Sequence, residues 1–313
     1  MDGVRPRLGI SACLLGEAVR HDGAHKRDAF LAEVLEPCVL WVPTCPEVEL
    51  GLGVPREPVG LEAAAGTGGP PRLVALHSRR ELGAAMEALA TARVAALEAQ
   101  RIAGCVLKAR SPSCGPGGVP VAGREAPAPG AFARVLRLRM PWLPVVDEVA
   151  LARPAAREAF VAAAFALARW HVAQVEASPQ GLARGRAFVD AHRLLLASRD
   201  PGAADEAEAL LAGPAADPWA ARLRLMQALC RVPVPAGQLE AARLAVTQAG
   251  PGLTSVERTA LLACMDRYER GEAGLGSLLR GLREAVGPAL AARWARDPWF
   301  VPHPPALGLL EQV

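Results

Sequence analysis

The sequence predicts an α/β N-terminal domain with a mostly parallel sheet, followed by an all-α C-terminal domain. Three observations carry this. Short apolar runs closed by turn residues alternate with helix-period segments from Arg7 to Val146, the pattern of strands joined by crossover helices. Beyond Arg157 no strand-like run recurs, and Ala/Leu/Arg-rich segments of helical period are separated by Pro and Gly. The 313 residues are also enough to bury two separate cores. The expected domains are residues 1–150 and 157–313, with the boundary between Asp147 and Arg157.

In chain order, Arg7 to Ala12 (RLGISA) reads as the first strand. It runs into Cys13 and then a polar loop, Val19 to Asp28 (VRHDGAHKRD), dense in groups that bind or move protons. Ala29 to Leu35 has apolar residues at helical spacing. Cys38 to Pro43 (CVLWVP) is the second expected strand, ending at Thr44-Cys45-Pro46-Glu47. Val48 to Pro58 reads as a loop stiffened by Gly and Pro, carrying Glu49, Arg56 and Glu57. Ala63 to Pro71 does not sit between strand and helix as a phosphate loop does, and reads as a flexible connection.

Arg72 to Leu76 is a short strand, and Ser78 to Gln100 a long helix with Ser78 at its N-cap. Cys105 to Lys108 is too short for a helix and β-branched at Val106, so it reads as a buried strand. A Pro/Gly-rigid turn follows, Ser111-Pro112-Ser113-Cys114-Gly115. Gly130 to Arg139 is helical and Leu143 to Val146 forms the last strand. The C-terminal helices are expected at 157–176, 182–198, 203–211, 218–230, 236–249, 255–270 and 275–297, with starts marked at Asp217-Pro218 and Thr254-Ser255.

Composition limits the function classes. No apolar run approaches a membrane span, and the N-terminus lacks signal-peptide anatomy, so a cytoplasmic protein without a membrane partner is expected. A net charge of +3 implies no nucleic-acid surface unless its cations cluster. Seven cysteines is an odd count, and in the cytoplasm thiols are catalytic, metal-binding or buried rather than paired. Of 35 basic residues only Lys26 and Lys108 are lysines, and each lies beside a motif dense in reactive groups, where a compact cation differs in use from a guanidinium.

Cys13, Cys45 and Cys114 each sit in a turn past an expected strand, and a parallel sheet would present all three at one edge. Cys38, Cys105, Cys230 and Cys264 fall inside expected strands or helices and read as small buried hydrophobes. For the three turn cysteines the residues leave several chemistries open. One is an iron–sulfur cluster with one iron free of protein. Another is zinc completed by His21 or His25, a third is a nucleophilic thiol with bystanders, and a fourth is no chemical role at all. Glu47 and Glu49 are the carboxylates placed for proton transfer. Ser111 and Ser113 are turn hydroxyls able to orient a ligand. Lys26, Arg56, Lys108 and Arg110 read equally as partners in structural ion pairs or as cations that offset thiolate charge and hold an anionic or carbonyl-bearing ligand. His192 and His303 have no metal-ligand partner at helical spacing, and Trp294, Trp299 and Phe300 read as core or interface anchors rather than a cofactor site.

Four ordered blocks resemble a known family: ISACLLG (10–16), VRHDGAHKRD, WVPTCPEVELGLGVPREP (41–58) and LKARSPSCG (107–115). They are similar to the DUF523 family, the TudS-type thiouracil desulfidases. The resemblance implies a [4Fe-4S] cluster on Cys13, Cys45 and Cys114, with the fourth iron free to take the sulfur of a small thiolated-nucleobase substrate. It implies non-redox desulfidation that releases hydrosulfide, with a glutamate (Glu47 or Glu49) and a serine (Ser111 or Ser113) in proton transfer and positioning. Lys26, Arg56 and Lys108 are then the expected substrate-binding cations. His21 stands where the family commonly has Tyr, a departure that bears on substrate contacts. The C-terminal half resembles the DUF1722, or YbgA-like, domain through RAFVDAHRLLLAS, LRLMQAL, LTSVERTALLACMDRYERG and DPWFVPHP, without that domain's polar His/Asn-containing middle. Two other functions stay open: a binding or regulatory protein with a structural cluster or zinc site, and sulfur transfer to a nucleic-acid base.

Overall fold

The computed structural model describes residues 4–64, 69–176, 178 and 180–313. It divides into two compact units, one of Arg5–Ala152 and one of Arg153–Val313 together with Val4. The flexible connection expected at Ala63 to Pro71 falls mostly on residues 65–68, outside the described residues.

The N-terminal unit carries, in order, β1 (Arg7–Ser11), β2 (Leu40–Thr44), α1 (Pro46–Glu49), β3 (Val59–Glu62), β4 (Arg72–Ala75) and α2 (Gly83–Ala99). There follow β5 (Gly104–Leu107), β6 (Val119–Ala122), β7 (Arg124–Ala128), α3 (Ala131–Arg139), β8 (Val145–Asp147) and α4 (Glu148–Leu151). One sheet has the order β2-β1-β5-β8, and every pairing in it is parallel. β1 and β5 lie at its centre, and Leu8, Ile10, Cys105, Val106 and Leu107 are buried, the continuous apolar pattern of strands covered on both faces. All four carboxyl ends therefore open on the same edge.

A second, mixed sheet, β4-β3-β6-β7, was not expected from the sequence. The hairpin of β6 and β7 contains Pro120 and Pro127, which lack an N–H and read as breakers. Four of the five β7 residues are exposed, so no alternation marks that strand.

Three local expectations change. Helix α2 begins at Gly83 with Leu82 as its N-cap. Ser78 instead donates its hydroxyl to Glu57 Oε1 at 2.7 Å, while the His77 and Ser78 amides donate to Oε2. The helix expected at Ala29 to Leu35 is a π-type turn, Phe30–Leu35, running into a 3₁₀ turn at Glu36–Cys38. Pro37 cannot donate to the preceding turn, so Cys38 lies in that turn rather than in β2.

The second unit is all helical: α5 (Pro154–Ala173), α6 (Gly181–Ala197), α7 (Ala203–Leu210), α8 (Pro218–Leu229), α9 (Pro235–Ala249), α10 (Ser255–Glu269), α11 (Leu275–Glu284) and α12 (Pro288–Trp294). The sequence expected α11 and α12 as one helix. Gly287 and Pro288 divide them, Gly287 extended and Pro288 opening the new first turn. Twelve of the twenty α5 residues are buried, which marks it as the central helix rather than an amphipathic outer one. One of the twelve is Glu158, whose carboxylate receives Arg199 NH2 at 3.2 and 3.0 Å. Among the described residues no helix is long and apolar enough to cross a membrane.

Candidate active site at the carboxyl edge of the parallel sheet

Each of the three turn cysteines is placed by a strand end. Cys13 lies in a single 3₁₀ turn directly after β1. Its carbonyl accepts the Lys26 amide at 2.9 Å, folding the polar loop back onto it. Cys45 follows β2 and is the N-cap of α1, whose first residue is Pro46. Cys114 lies further beyond β5, and a tight loop brings it back. The Ser111 hydroxyl accepts the amides of Ser113 (3.3 Å) and Cys114 (3.0 Å). The Gly115 amide reaches Ser111 O at 2.8 Å, and the Phe132 amide at the start of α3 reaches Ser113 O at 2.9 Å. Gly130 permits this docking, since a Cβ there would stand 2.6 Å from Ser113 O. All three thiols line one cavity of about 260 Å³, together with Ser11, Arg20, His21, Glu47, Arg56, Lys108 and Ser111.

Glu47 and Glu49 differ sharply in surroundings. Glu47 lines the cavity, accepts the Ser113 hydroxyl at Oε1 (2.9 Å), and accepts Arg56 Nε (2.9 Å) and NH2 (2.8 Å) at Oε2. Ser113 is fully buried behind it. Arg56 also donates to Val19 O and Gly53 O, each at 2.9 Å, so this guanidinium ties Glu47 to the loops on either side. Glu49 is not in the cavity lining. It accepts the Thr44 hydroxyl at 2.6 Å and the Cys45 amide at 3.3 Å, and pairs with Arg93 Nε at 3.4 Å.

The expected cations also separate. Lys26 is exposed and outside the cavity lining. Lys108 lines the cavity, but its ammonium is ion-paired with Glu148, whose other oxygen accepts the Ala109 amide at 2.8 Å. His21 lines the cavity. His25 does not, and its Nδ1 accepts the Arg27 amide at 3.3 Å.

Residues 8–148 match the family model described as 2-thiouracil desulfurase. A solved structure described as a [4Fe-4S]-dependent thiouracil desulfidase, TudS, is 29% identical, covering 47% of this chain and 94% of its own with a TM-score of 0.38. No curated protein matches the chain significantly.

Three further residues of the N-terminal unit, not singled out by the sequence, belong to the site. Glu148, just past β8, is the partner of Lys108, and its signal was the charged end of the strand that pairs with β5. Ser11, the last residue of β1, accepts the Lys108 amide at 3.0 Å and lies close enough to Cys114 to favour its thiolate. Arg20 lines the cavity close enough to Cys13 to favour its thiolate.

The thiols are nonetheless held protonated. Burial pushes Cys13 up to about 11, with neighbouring Cys45 adding to the rise against Lys108 and Arg20. Cys45 is raised, chiefly by burial. Cys114 is raised well above the ordinary thiol range, by burial first and then by Glu47 and the other two thiols. These mutual influences place the three sulfurs within electrostatic reach of one another. Among the described residues no three His, Cys, Asp or Glu side chains converge closely enough to hold a single metal ion. A polynuclear cluster asks for something else: soft sulfur donors around a larger body, each thiolate on a different iron. Three thiols lining one cavity fit that donor set.

Proposed function

We propose that residues 5–152 bind a [4Fe-4S] cluster through Cys13, Cys45 and Cys114 and desulfidate a small thiolated pyrimidine of the 2-thiouracil kind. The observation that carries this reading is the meeting of three thiols, from the ends of three strands, in a cavity that also holds a carboxylate fixed by Ser113 and Arg56. A cluster bound by three thiolates supplies one iron open to a soft thiocarbonyl sulfur, and so polarises the carbon–sulfur bond.

The chain's own part is proton management and positioning. Glu47 acts as the general base towards a water molecule attacking the thiocarbonyl carbon. Each carboxylate oxygen has two acceptor sites, so Oε1 can receive the water while holding Ser113. Arg56 fixes Oε2, which fixes the direction in which Oε1 faces. In the balanced reaction, water and the thiocarbonyl compound give the carbonyl compound and hydrogen sulfide. The protons lost by water leave with sulfur. Lys108, held by Glu148 and lining the cavity with the thiols, is the cation assigned to the oxygen charge that develops on the ring. Residues 157–313 are read as a DUF1722-like domain on their sequence resemblance, and the enzyme as a cytoplasmic hydrolase of carbon–sulfur bonds.

Anaerobic reconstitution with iron and sulfide tests the reading. Iron, acid-labile sulfide, and conversion of 2-thiouracil to uracil with release of sulfide are expected. Stoichiometric zinc with no turnover would replace it with a structural metal site, and sulfur recovered on an RNA base would replace release with transfer.

A further inference from the structure

The helical unit holds a cavity that the desulfidation does not use. It lies between α11 and the segment 300–311 and has a volume of about 130 Å³. Arg280, Arg283, His303 and Glu311 supply its polar lining, and Phe300 and Leu309 are part of its apolar wall. Arg280 and Arg283 are three residues apart on α11, so they rise from the same helix face. Arg280 meets Glu311 at 3.5 Å with side chains 52% and 59% exposed, a loose contact that solvent screens. Arg283 has no ion-pair or hydrogen-bond partner among the described residues.

His303 is buried, and its Nε2 has no hydrogen-bond partner among the described residues. Burial holds its pKa below the usual imidazole range, so the ring adds no charge at neutral pH. Two guanidiniums facing one carboxylate leave a single positive charge beside an apolar wall.

We propose that this cavity is a binding site for a small organic monoanion. Its carboxylate is held by Arg283 and Arg280, and its apolar body lies against Phe300 and Leu309. Guanidinium forks match a carboxylate in plane and charge. The volume is close to the roughly 150 Å³ of an apolar cavity that accepts benzene, which sets the body at about one six-membered ring. Glu311 is the internal competitor for Arg280, near enough to occupy the guanidinium and exposed enough to leave it. The site stands on the helical unit alone and does not depend on the desulfidase reading.

Calorimetric titration of the full chain with benzoate, benzamide and inorganic phosphate tests it. Saturable binding of benzoate is expected, with none for neutral benzamide and weaker binding for phosphate. Arg283→Gln should weaken benzoate by roughly tenfold or more, the loss expected for a charge-assisted pair, with circular dichroism unchanged. Glu311→Gln should tighten benzoate by removing the competitor, and this variant decides the matter if Arg283→Gln does not fold. Absence of saturable benzoate binding would overturn the proposal. So would benzamide or phosphate binding as tightly as benzoate, or affinity that neither variant moves.

Discussion

Replacing Arg56 by Met tests whether the site is held by charge rather than by loop packing. The Arg56 and Glu47 side chains are 5% and 13% exposed, so the substitution leaves a carboxylate nearly out of water without its cation. Breaking one side of such a buried pair costs about 3–5 kcal/mol. The lower end, about 3 kcal/mol, applies here, because Ser113 still donates to Glu47 Oε1 and the cavity beside Glu47 admits water. The two carbonyls that Arg56 also serves, Val19 O and Gly53 O, lie in loops and can rehydrate. Adding Glu47→Gln removes the stranded charge, so the double variant should recover about 1–2 kcal/mol over Arg56→Met alone. Urea titration read by hydrogen exchange on peptides from residues 5–152 gives the opening free energy of this unit alone. A loss below about 1 kcal/mol, or a double variant showing no recovery, would refute the electrostatic reasoning.

Glu47→Gln should cut sulfide release from 2-thiouracil by about 10²–10⁴, the usual share of a general base. Glu49→Gln should keep turnover and lose only about 1 kcal/mol of stability from its contacts with Thr44, Cys45 and Arg93; equal losses of turnover would reject the assignment. In chain stripped of metal by chelation, Cys13 sits at about 11 against an ordinary 9.0. Its thiolate fraction at pH 8 is then about a hundredfold below that of a free cysteine. Alkylation by iodoacetamide, followed by mass spectrometry, should be correspondingly slow and rise about tenfold per pH unit towards pH 10; labelling of Cys13 at free-cysteine rates at pH 8 would contradict it. In the helical unit, Glu158 and Arg199 are 2% and 1% exposed, so Glu158→Ala should lower that unit's stability by about 3–5 kcal/mol in the same urea experiment. A change within about 0.5 kcal/mol would mean that the pair is dispensable.

The parallel sheet was legible because its strands are continuous apolar runs closed by turns, as in GISAC and CVLK. The common edge for Cys13, Cys45 and Cys114 followed from parallel pairing. The second sheet was not legible, since β3 is only four residues long, β6 and β7 are interrupted by Pro120 and Pro127, and these strands take their shape from one another rather than from their own pattern. Glu47 and Glu49 were indistinguishable in sequence because both belong to one turn. On a helix, residues two apart do not share a face, so one carboxylate turns into the cavity and the other back onto the end of β2. The ion pair that Lys108 makes had no identifiable partner in sequence, because Glu148 is forty positions away and arrives only through β8 pairing with β5.

These pairings bear on which cysteine chemistry the cavity suits. A nucleophilic thiol needs its pKa lowered by cations or a helix N-terminus. Around Cys13 the opposite holds: Lys108 and Arg20 favour the thiolate, but burial and the adjoining Cys45 outweigh them and Glu148 blunts Lys108. Cys114 is pushed in the same direction, by burial first and with Glu47 among the causes. Thiols so placed are poor nucleophiles and comfortable as neutral, compact apolar groups. They ionise only when something more electrophilic than a proton takes the sulfur, which is what a soft metal centre does, releasing the protons as it binds. The same burial that disables the nucleophile thus suits a ligand set, because it keeps water from competing for the metal–sulfur bonds.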